Sequence, residues 1–296
     1  MKYITLSLLC AGLITASAIA EDICGGAYQA QNYAQAAECY VKQLKKERTF
    51  YNLESAGVSY AQLGRYKEAL PYLKEAEKKA QTPTDYRILY SWLGLVYGDL
   101  GDATKELAYK MKFLDLSLKS GIRGDTGKGY NNLGWYYYSQ NEPQKALDYY
   151  EKALEYQDEL KSSSTYGNMA IAYNTLQDPI KAEEMYQKSV AIDQKSGDYH
   201  SLGDHKTQLG VFYFMQARNS EARTTLEDAL VINRNSGNIN SESHALSILA
   251  VIDYREGHVN EAKEKAAEAL RLAKQSGDRG AVLRDAQRAW NFVNEK

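Results

Sequence analysis

Few residues in this sequence stand at the spacings that catalysis or metal binding requires. The four histidines, His200, His205, His244 and His258, match no metal-ligand signature. There is also no phosphate-binding loop, no Gly-x-Gly-x-x-Gly turn and no Gly-x-Ser-x-Gly nucleophile motif. The carboxylates are scattered along helical segments, where solvated surface is their usual role. We therefore expect no catalytic site, no metal site and no cofactor, and so no enzyme.

Composition and charge indicate a globular chain whose partner is a protein. Of the 296 residues, 44% are hydrophobic, which is enough to build a sizeable core. The 36 basic and 38 acidic residues nearly cancel, so no summed field attracts nucleic acid or anionic lipid. We expect a protein or peptide partner and no nucleic acid. The sequence predicts neither the identity of the partner nor the oligomeric state.

The first twenty residues have the pattern of a signal peptide. Lys2 precedes an apolar stretch over residues 4–13, and Ala18-Ile19-Ala20 is a small-x-small cleavage site. We expect cleavage after Ala20, a periplasmic or secreted protein, and no membrane insertion after cleavage. The alternative is an uncleaved segment that anchors the chain in the inner membrane, since about 18 largely apolar residues can just span a bilayer.

Export would leave one pair of cysteines, Cys24 and Cys39, in an oxidising compartment. If the chain turns between Gln31 and Asn32, the two cysteines lie level across a helical hairpin. We therefore expect a disulfide between them. The alternative is two buried thiols.

Small residues recur along the chain at nearly regular intervals, at Gly57, Gly94, Gly134, Ala170, Gly210 and Ala250. Tyrosine follows three residues after the first five, at Tyr60, Tyr97, Tyr137, Tyr173 and Tyr213. Alanine follows most of them after twelve residues, at Ala69, Ala146, Ala182, Ala222 and Ala262. The pattern predicts two helices per unit, in which the small residue faces the alanine and the tyrosine fills the gap toward the next pair.

Helix starts and ends are marked at matching positions. Pro143 and Pro179 are expected to be the first residues of second helices, where a missing N–H has no cost. Ser-Gly pairs are expected to end helices in the left-handed conformation, at Gly121, Gly197, Gly237 and Gly277. The third unit fits the pattern only with one inserted residue, which predicts Leu107, Met111 and Leu114 on its buried face.

Two segments carry a family resemblance, NNLGWYYYSQNEPQKALDYYEKALEY (residues 131–156) and ESAGVSYAQLGRYKEALPYLKEAEKKA (residues 54–80). Both resemble the tetratricopeptide repeat family, and the long period with its Ser-Gly ends is similar to kinesin light chain repeats. The resemblance implies an all-α fold, an α-solenoid that winds as a right-handed superhelix of helix-turn-helix repeats. We expect one solenoid over residues 21–296, with a partial repeat 1 (21–48), repeats 2 to 7 (49–85, 86–125, 126–161, 162–201, 202–241 and 242–278) and a capping helix (279–296).

The resemblance also places a binding groove along the first helix of each repeat, the A helix. Its lining would be uncharged, with aromatic and amide side chains: Asn131, Trp135, Tyr138, Ile171, Asn174, Val211, Phe214 and Tyr254. Trp135 and Tyr138 stand out because packing does not require them, whereas Tyr130, Tyr137 and Tyr150 are expected in the core. The alternative is a groove that is partly filled by its own side chains or by the C-terminal helix.

These expectations favour a non-catalytic scaffold that binds a peptide or helical segment of another protein in this groove. The expected export of the protein suggests that it belongs to an envelope assembly, secretion or adhesion complex. This inference rests on analogy of fold and location. The alternative is a regulatory or structural subunit that an uncleaved N-terminal helix anchors at the inner membrane.

Overall fold

A computed structural model describes residues 24–30, 32–276 and 281–294. Within these ranges all regular secondary structure is helical, which confirms the predicted all-α fold. The proposed signal peptide, residues 1–20, lies outside the described residues. A search of the described helices finds none with the length and apolar character of a membrane span.

The chain divides into two compact units, residues 1–116 and 117–296. The first unit contains the helical residues 24–29 (α1), α2 (Tyr33–Leu44), α3 (Phe50–Gln62), α4 (Tyr66–Glu77), α5 (Pro83–Asp99) and most of α6 (Ala103–Ser120). The second unit continues with α7 (Arg123–Ser139), α8 (Pro143–Tyr156), a 3-10 turn (Glu159–Lys161), α9 (Ser163–Thr175), α10 (Pro179–Ser196), α11 (Tyr199–Met215), α12 (Asn219–Ser236), α13 (Ile239–Arg255), α14 (Val259–Ser276) and α15 (Ala281–Asn294). The odd-numbered helices α3 to α13 are the A helices, and each is followed by its B helix.

Local sequence accounts for the helix boundaries. Pro143 and Pro179 are the first residues of α8 and α10, as predicted. Gly121, Gly197 and Gly237 follow α6, α10 and α12 with φ of 69°, 75° and 72°, so the predicted glycine ends are confirmed at three positions. The fourth, Gly277, lies outside the described residues. The A helices of repeats 3, 4, 6 and 7 begin at Pro83, Arg123, Tyr199 and Ile239, shortly before the predicted repeat starts.

The A and B helices of a repeat approach each other at the small residue, but the residue that faces it differs from the prediction. A Cβ on Gly134 would have the ring of Tyr150 as its nearest neighbour, not Ala146. Gly57 faces Leu73 and Gly210 faces Leu226 in the same way. The small residue therefore makes room for a large side chain one turn beyond the alanine, and that side chain is fully buried in all three repeats.

The third repeat corrects the predicted register of α6. Met111 is 56% exposed, so the face with Leu107, Met111 and Leu114 is not the buried one. Glu106 instead occupies the alanine position with no insertion, and it is buried. Its Oε1 lies 2.9 Å from Nζ of Lys110, and Gly98 leaves the space for its carboxylate. The prediction was wrong because a buried ion pair here replaces an apolar contact.

The repeated tyrosine of the A helix lies against a second tyrosine on the B helix in three repeats. The ring centroids of Tyr60–Tyr72, Tyr97–Tyr109 and Tyr137–Tyr149 are 5.7, 5.5 and 5.0 Å apart with nearly parallel planes. A cation covers the first ring of each pair, namely Arg65, Lys105 or Lys145. Tyr150 is fully buried, as predicted, whereas Tyr130 and Tyr137 are half-buried.

The predicted disulfide is present between Cys24 of α1 and Cys39 of α2, whose Cα atoms are 5.5 Å apart. Cys24 is fully buried and belongs to the core of the first unit with Tyr40 and Leu53. The bond therefore links the short helix α1 covalently to α2.

The predicted capping helix is α15. Ala286, Ala289 and Val293 form its buried face, and Val282 and Leu283 are partly buried beside the same core. Trp290 of the same helix is 39% exposed. The helix packs on α13 and α14, in the place where another A helix would continue the array.

Candidate protein-binding groove

Eight residues, which we call the groove surface, lie on four A helices of the second unit. Asn131, Trp135 and Tyr138 are on α7, Ile171 and Asn174 on α9, Val211 and Phe214 on α11, and Tyr254 on α13. Trp135 is 43% exposed, and the other seven are half-buried. Half-burial is expected of residues beside the core stripe of a helix, where one edge packs and the other faces solvent.

Trp135 and Tyr138 form an aromatic pair one turn apart on α7. Their ring centroids are 5.4 Å apart with planes tilted by 33°. The hydroxyl of Tyr138 lies 3.3 Å from Oγ1 of Thr175 at the end of α9. This contact holds Tyr138 against the neighbouring A helix, and Tyr138 in turn supports the exposed indole of Trp135. The pair offers a large, preorganised apolar surface at small entropic cost to a ligand.

Amide side chains connect the same two helices. Nδ2 of Asn168 donates a hydrogen bond to Oδ1 of Asn131 at 3.2 Å. This bond leaves the amide NH₂ of Asn131 without an acceptor among the described residues, and Asn174 adds a second half-buried amide on α9. Amides beside an aromatic pair suit a peptide, because they bond to backbone N–H and C=O groups while the rings receive an apolar side chain.

The other end of the groove surface is covered by intramolecular contacts. Phe292 of α15 packs its ring edge-to-face on Tyr254, with centroids 5.2 Å apart. The guanidinium of Arg255 lies over the ring of Phe214 at 4.9 Å. The alternative foreseen from the sequence, partial filling by the C-terminal helix, therefore occurs at Tyr254. The open part of the groove surface runs over α7 and α9.

Sequence reasoning missed the residues that brace this surface, namely Asn168, Thr175, Arg255 and Phe292. Thr175 and Arg255 directly follow the groove positions Asn174 and Tyr254. Their position next to predicted groove residues could have indicated Thr175 and Arg255, since the last turn of each A helix contacts the neighbouring A helix. Phe292 carries no such signal, because the place of α15 depends on tertiary packing.

Two histidines of the second unit are enclosed by neighbouring helices. Burial lowers the pKa of His244 from its ordinary value, and the carboxylates of Asp285 and Asp204 oppose that shift. His205 is buried, and its Nδ1 lies 2.5 Å from Oδ2 of Asp193, which is also buried. Both arrangements join neighbouring helices of the array and give each imidazole a structural role.

Among the described residues, one group has a geometry that could hold a metal ion: Asp253, Glu256 and His258. Its carboxylates are already paired with cations. Arg223 reaches Asp253 at 2.7 Å and Glu256 at 2.6 Å, and Lys265 reaches Asp253 at 2.5 Å. A metal would have to displace both cations, so the group acts as an ion-pair network between repeats 6 and 7.

Comparison with family models gives matches over most of the helical array. A model described as tetratricopeptide repeat matches residues 85–159 and 161–235, and a second model with the same description matches residues 53–78. Comparison with the curated protein sequences gives no match.

Solved structures with similar folds come from several sources. Aspartyl phosphate phosphatase F from Bacillus subtilis is 15% identical with a TM-score of 0.63, and the match covers 96% of this chain and 81% of that one. A tetratricopeptide repeat protein from Parabacteroides merdae is 14% identical with a TM-score of 0.60, covering 92% and 97%. Putative kinesin light chain repeats from Podosopora anserina are 18% identical with a TM-score of 0.50, covering 68% and 100%. At these identities the likeness concerns the fold alone.

Proposed function

Because the chain belongs to the tetratricopeptide repeat family, we propose that it is a non-catalytic scaffold that binds a segment of another protein on its groove surface. The observation that carries the proposal is the exposed Trp135 beside Tyr138. Trp and Tyr are enriched among the residues that contribute most of the binding energy in protein interfaces, and here the two lie side by side. The repeat does not require an aromatic ring at either position, since the position of Trp135 holds the exposed Leu95 in repeat 3 and that of Tyr138 holds Asn174 in repeat 5.

The chemistry of the groove surface defines the class of partner. Its open part combines two aromatic rings with the amides of Asn131 and Asn174, and all four side chains are uncharged. An uncharged segment with at least one large apolar side chain fits this lining, in extended or helical form. Arg255 over Phe214 and Phe292 over Tyr254 restrict the segment to repeats 4 and 5 as long as these contacts persist.

The proposed location is the periplasm or the cell exterior. The pattern of residues 1–20 supports export, and the Cys24–Cys39 disulfide supports it as well, since such bonds persist in oxidising compartments. The intact mass of the protein isolated from its source organism tests the proposed location. A mature chain that starts at Glu21 supports cleavage, and a chain that retains residues 1–20 supports the anchored alternative.

Site-specific photocrosslinking in the source organism tests the groove. A photoreactive phenylalanine analogue would replace Trp135 in one protein and Tyr199, which is 65% exposed at the start of α11, in a matched control. We expect a discrete crosslinked protein from position 135 that is absent from position 199. Crosslinks that are the same at both positions, or absent from position 135, would remove the support for this surface.

A further inference from the structure

A second surface, which is positively charged, lies in the first unit, where a pair of lysines follows each of two B helices. Lys45 and Lys46 directly follow α2, and Lys78 and Lys79 directly follow α4. All four are exposed. None of them forms an ion pair within the described part of the chain. Two successive repeats therefore present a lysine pair at the same position.

A cleft of about 590 Å³ lies between the two loops that these lysines begin. One wall consists of residues 47–50 and the other of residues 78–81, with Asp85 at one end. Lys78 and Lys79 line the cleft directly, and Phe50 gives it an aromatic surface. The cleft thus brings together residues of repeats 1, 2 and 3 of the first unit.

The charges in the cleft do not cancel. Arg48 donates from Nε to Glu75 at 2.7 Å, and the carboxylate of Asp85 accepts the backbone N–H groups of Gln81 and Thr82, both at 3.0 Å. Arg48 and Glu75 thus pair with each other, and Asp85 bonds to the backbone of one wall. Among the described residues, what remains are four lysines that form no ion pair and two carboxylates that no cation neutralises, Glu47 and Asp85. The surface around the cleft is therefore basic, although the whole chain carries a net charge of -2.

The repeat fold does not require these lysines. A cation at a helix C-terminus complements the helix dipole, which accounts for one charge at each end. The corresponding positions after the later B helices hold Gln157 and Asp158 after α8, Gly197 after α10 and Gly237 after α12. The lysine pairs thus follow the B helices of repeats 1 and 2, and Lys78 and Lys79 of the second pair line the cleft.

We propose that this basic cleft binds an acidic peptide segment, rich in Asp and Glu, of a partner protein. Charge complementarity supplies the attraction, and two lysine pairs on successive repeats match carboxylates placed along a chain. Residues of both loops line the cleft, so a single extended chain can contact both loops at once, which favours a peptide segment as the occupant. The site is separate from the groove surface and does not depend on it.

The test uses the full mature chain and a fluorescent peptide of about a dozen residues that alternates Glu and Ser, with a Gln and Ser peptide as the control ligand. In the cleft variant Lys45, Lys46, Lys78 and Lys79 are changed to Gln. A matched variant carries the same change in net charge at four exposed lysines of the second unit, Lys152, Lys161, Lys188 and Lys195. Fluorescence anisotropy measures the affinity at ~20 mM and ~200 mM salt.

We expect the acidic peptide to bind the wild type and the matched variant equally, and the cleft variant at least tenfold more weakly, with weaker binding at the higher salt. Trp135→Ala should leave this affinity unchanged, which separates the result from the fate of the groove proposal. Equal losses in both lysine variants, or binding of the Gln peptide as well, would overturn the proposal. It is also overturned if the peptide does not bind while phosphatidylglycerol vesicles sediment the wild type and not the cleft variant.

Discussion

Gly134 of α7 lies directly against the ring of Tyr150 of α8, so that a Cβ at this glycine would be 2.5 Å from Cδ1 of the tyrosine. Tyr150 is fully buried in the core of the second unit. The contact sets the distance between the two helices of repeat 4. These helices carry and support Trp135 and Tyr138.

Replacing Gly134 with alanine should therefore destabilise the protein even though alanine is the better helix former. Overpacking a filled core costs about 1–3 kcal/mol, and the buried ring cannot yield. Gly124→Ala on the same helix is the control, because a Cβ there meets no atom within 4 Å. That variant should be neutral or stabilised by up to about 1 kcal/mol. Urea unfolding measures the free energy of unfolding of both variants. Equal values for Gly134→Ala and Gly124→Ala would show that Gly134 is not the contact point.

The buried pair of Glu106 and Lys110 provides a test of the α6 register. Their side chains are each 10% exposed, and Nζ lies 2.9 Å from Oε1. Lys110→Met should cost about 3–5 kcal/mol, because it leaves a buried carboxylate without its cation. The double variant Glu106→Ala with Lys110→Met should recover most of that loss. If both variants unfold at the same denaturant concentration as the wild type, the pair is not buried and the register is in error.

Loss of the Cys24–Cys39 disulfide should act locally. The two cysteines are separated by 15 residues, and in the loop-entropy model a bond of this span contributes about 3 kcal/mol. In Cys24→Ser with Cys39→Ser, amide hydrogen exchange should accelerate in α1 and α2 and stay unchanged from α7 onward. Uniform acceleration along the chain, or two reactive thiols in the denatured, unreduced wild type, would contradict the local role of the bond.

Glu54 of α3 predicts a pH dependence of stability. Burial raises the pKa of Glu54 to about 6, and the hydrogen bond from Ser55 opposes the shift only weakly. A carboxyl whose pKa is raised on folding stabilises the fold fully below about pH 4.5, and that contribution is lost as the pH rises through about 6. Glu54→Gln should therefore increase the free energy of unfolding by roughly 2 kcal/mol at pH 7.5 and leave it unchanged near pH 4. Equal effects at both pH values would show that Glu54 is not desolvated.

The sequence was sufficient to predict the features that recur in each repeat. The regular small residues, prolines and Ser-Gly pairs predicted the helix pairs, their starts and their ends, because each signal acts within one or two turns of helix. The cysteine pairing was also predictable, since Cys24 and Cys39 sit at equal distances from the turn of their hairpin. These interactions are local, and their spacing in the chain determines them.

What the sequence did not predict depends on contacts between elements. Tyr150 takes the place opposite Gly134 because helices cross at an angle, which moves the contact one turn beyond Ala146. Glu106 occupies an alanine position only because Lys110 and Gly98 accommodate its charge. Phe292 covers Tyr254 because of the way α15 docks, and nothing in the spacing of α15 indicates that ring. The groove surface itself was predicted as a set of positions, and its use for binding stays a prediction.

The central claim is that the groove surface binds a partner segment through Trp135. The most direct measurement is isothermal titration of the segment crosslinked at position 135, made as a synthetic peptide, against the wild type, Trp135→Ala and Ile180→Ala. Ile180 is 82% exposed on a B helix and is the matched control for loss of an exposed apolar side chain. We expect Trp135→Ala to weaken binding at least tenfold, as befits an anchor of about 1.4 kcal/mol or more. Ile180→Ala should leave the affinity unchanged, and both variants should melt within a few degrees of the wild type. An undiminished affinity for Trp135→Ala would contradict the account.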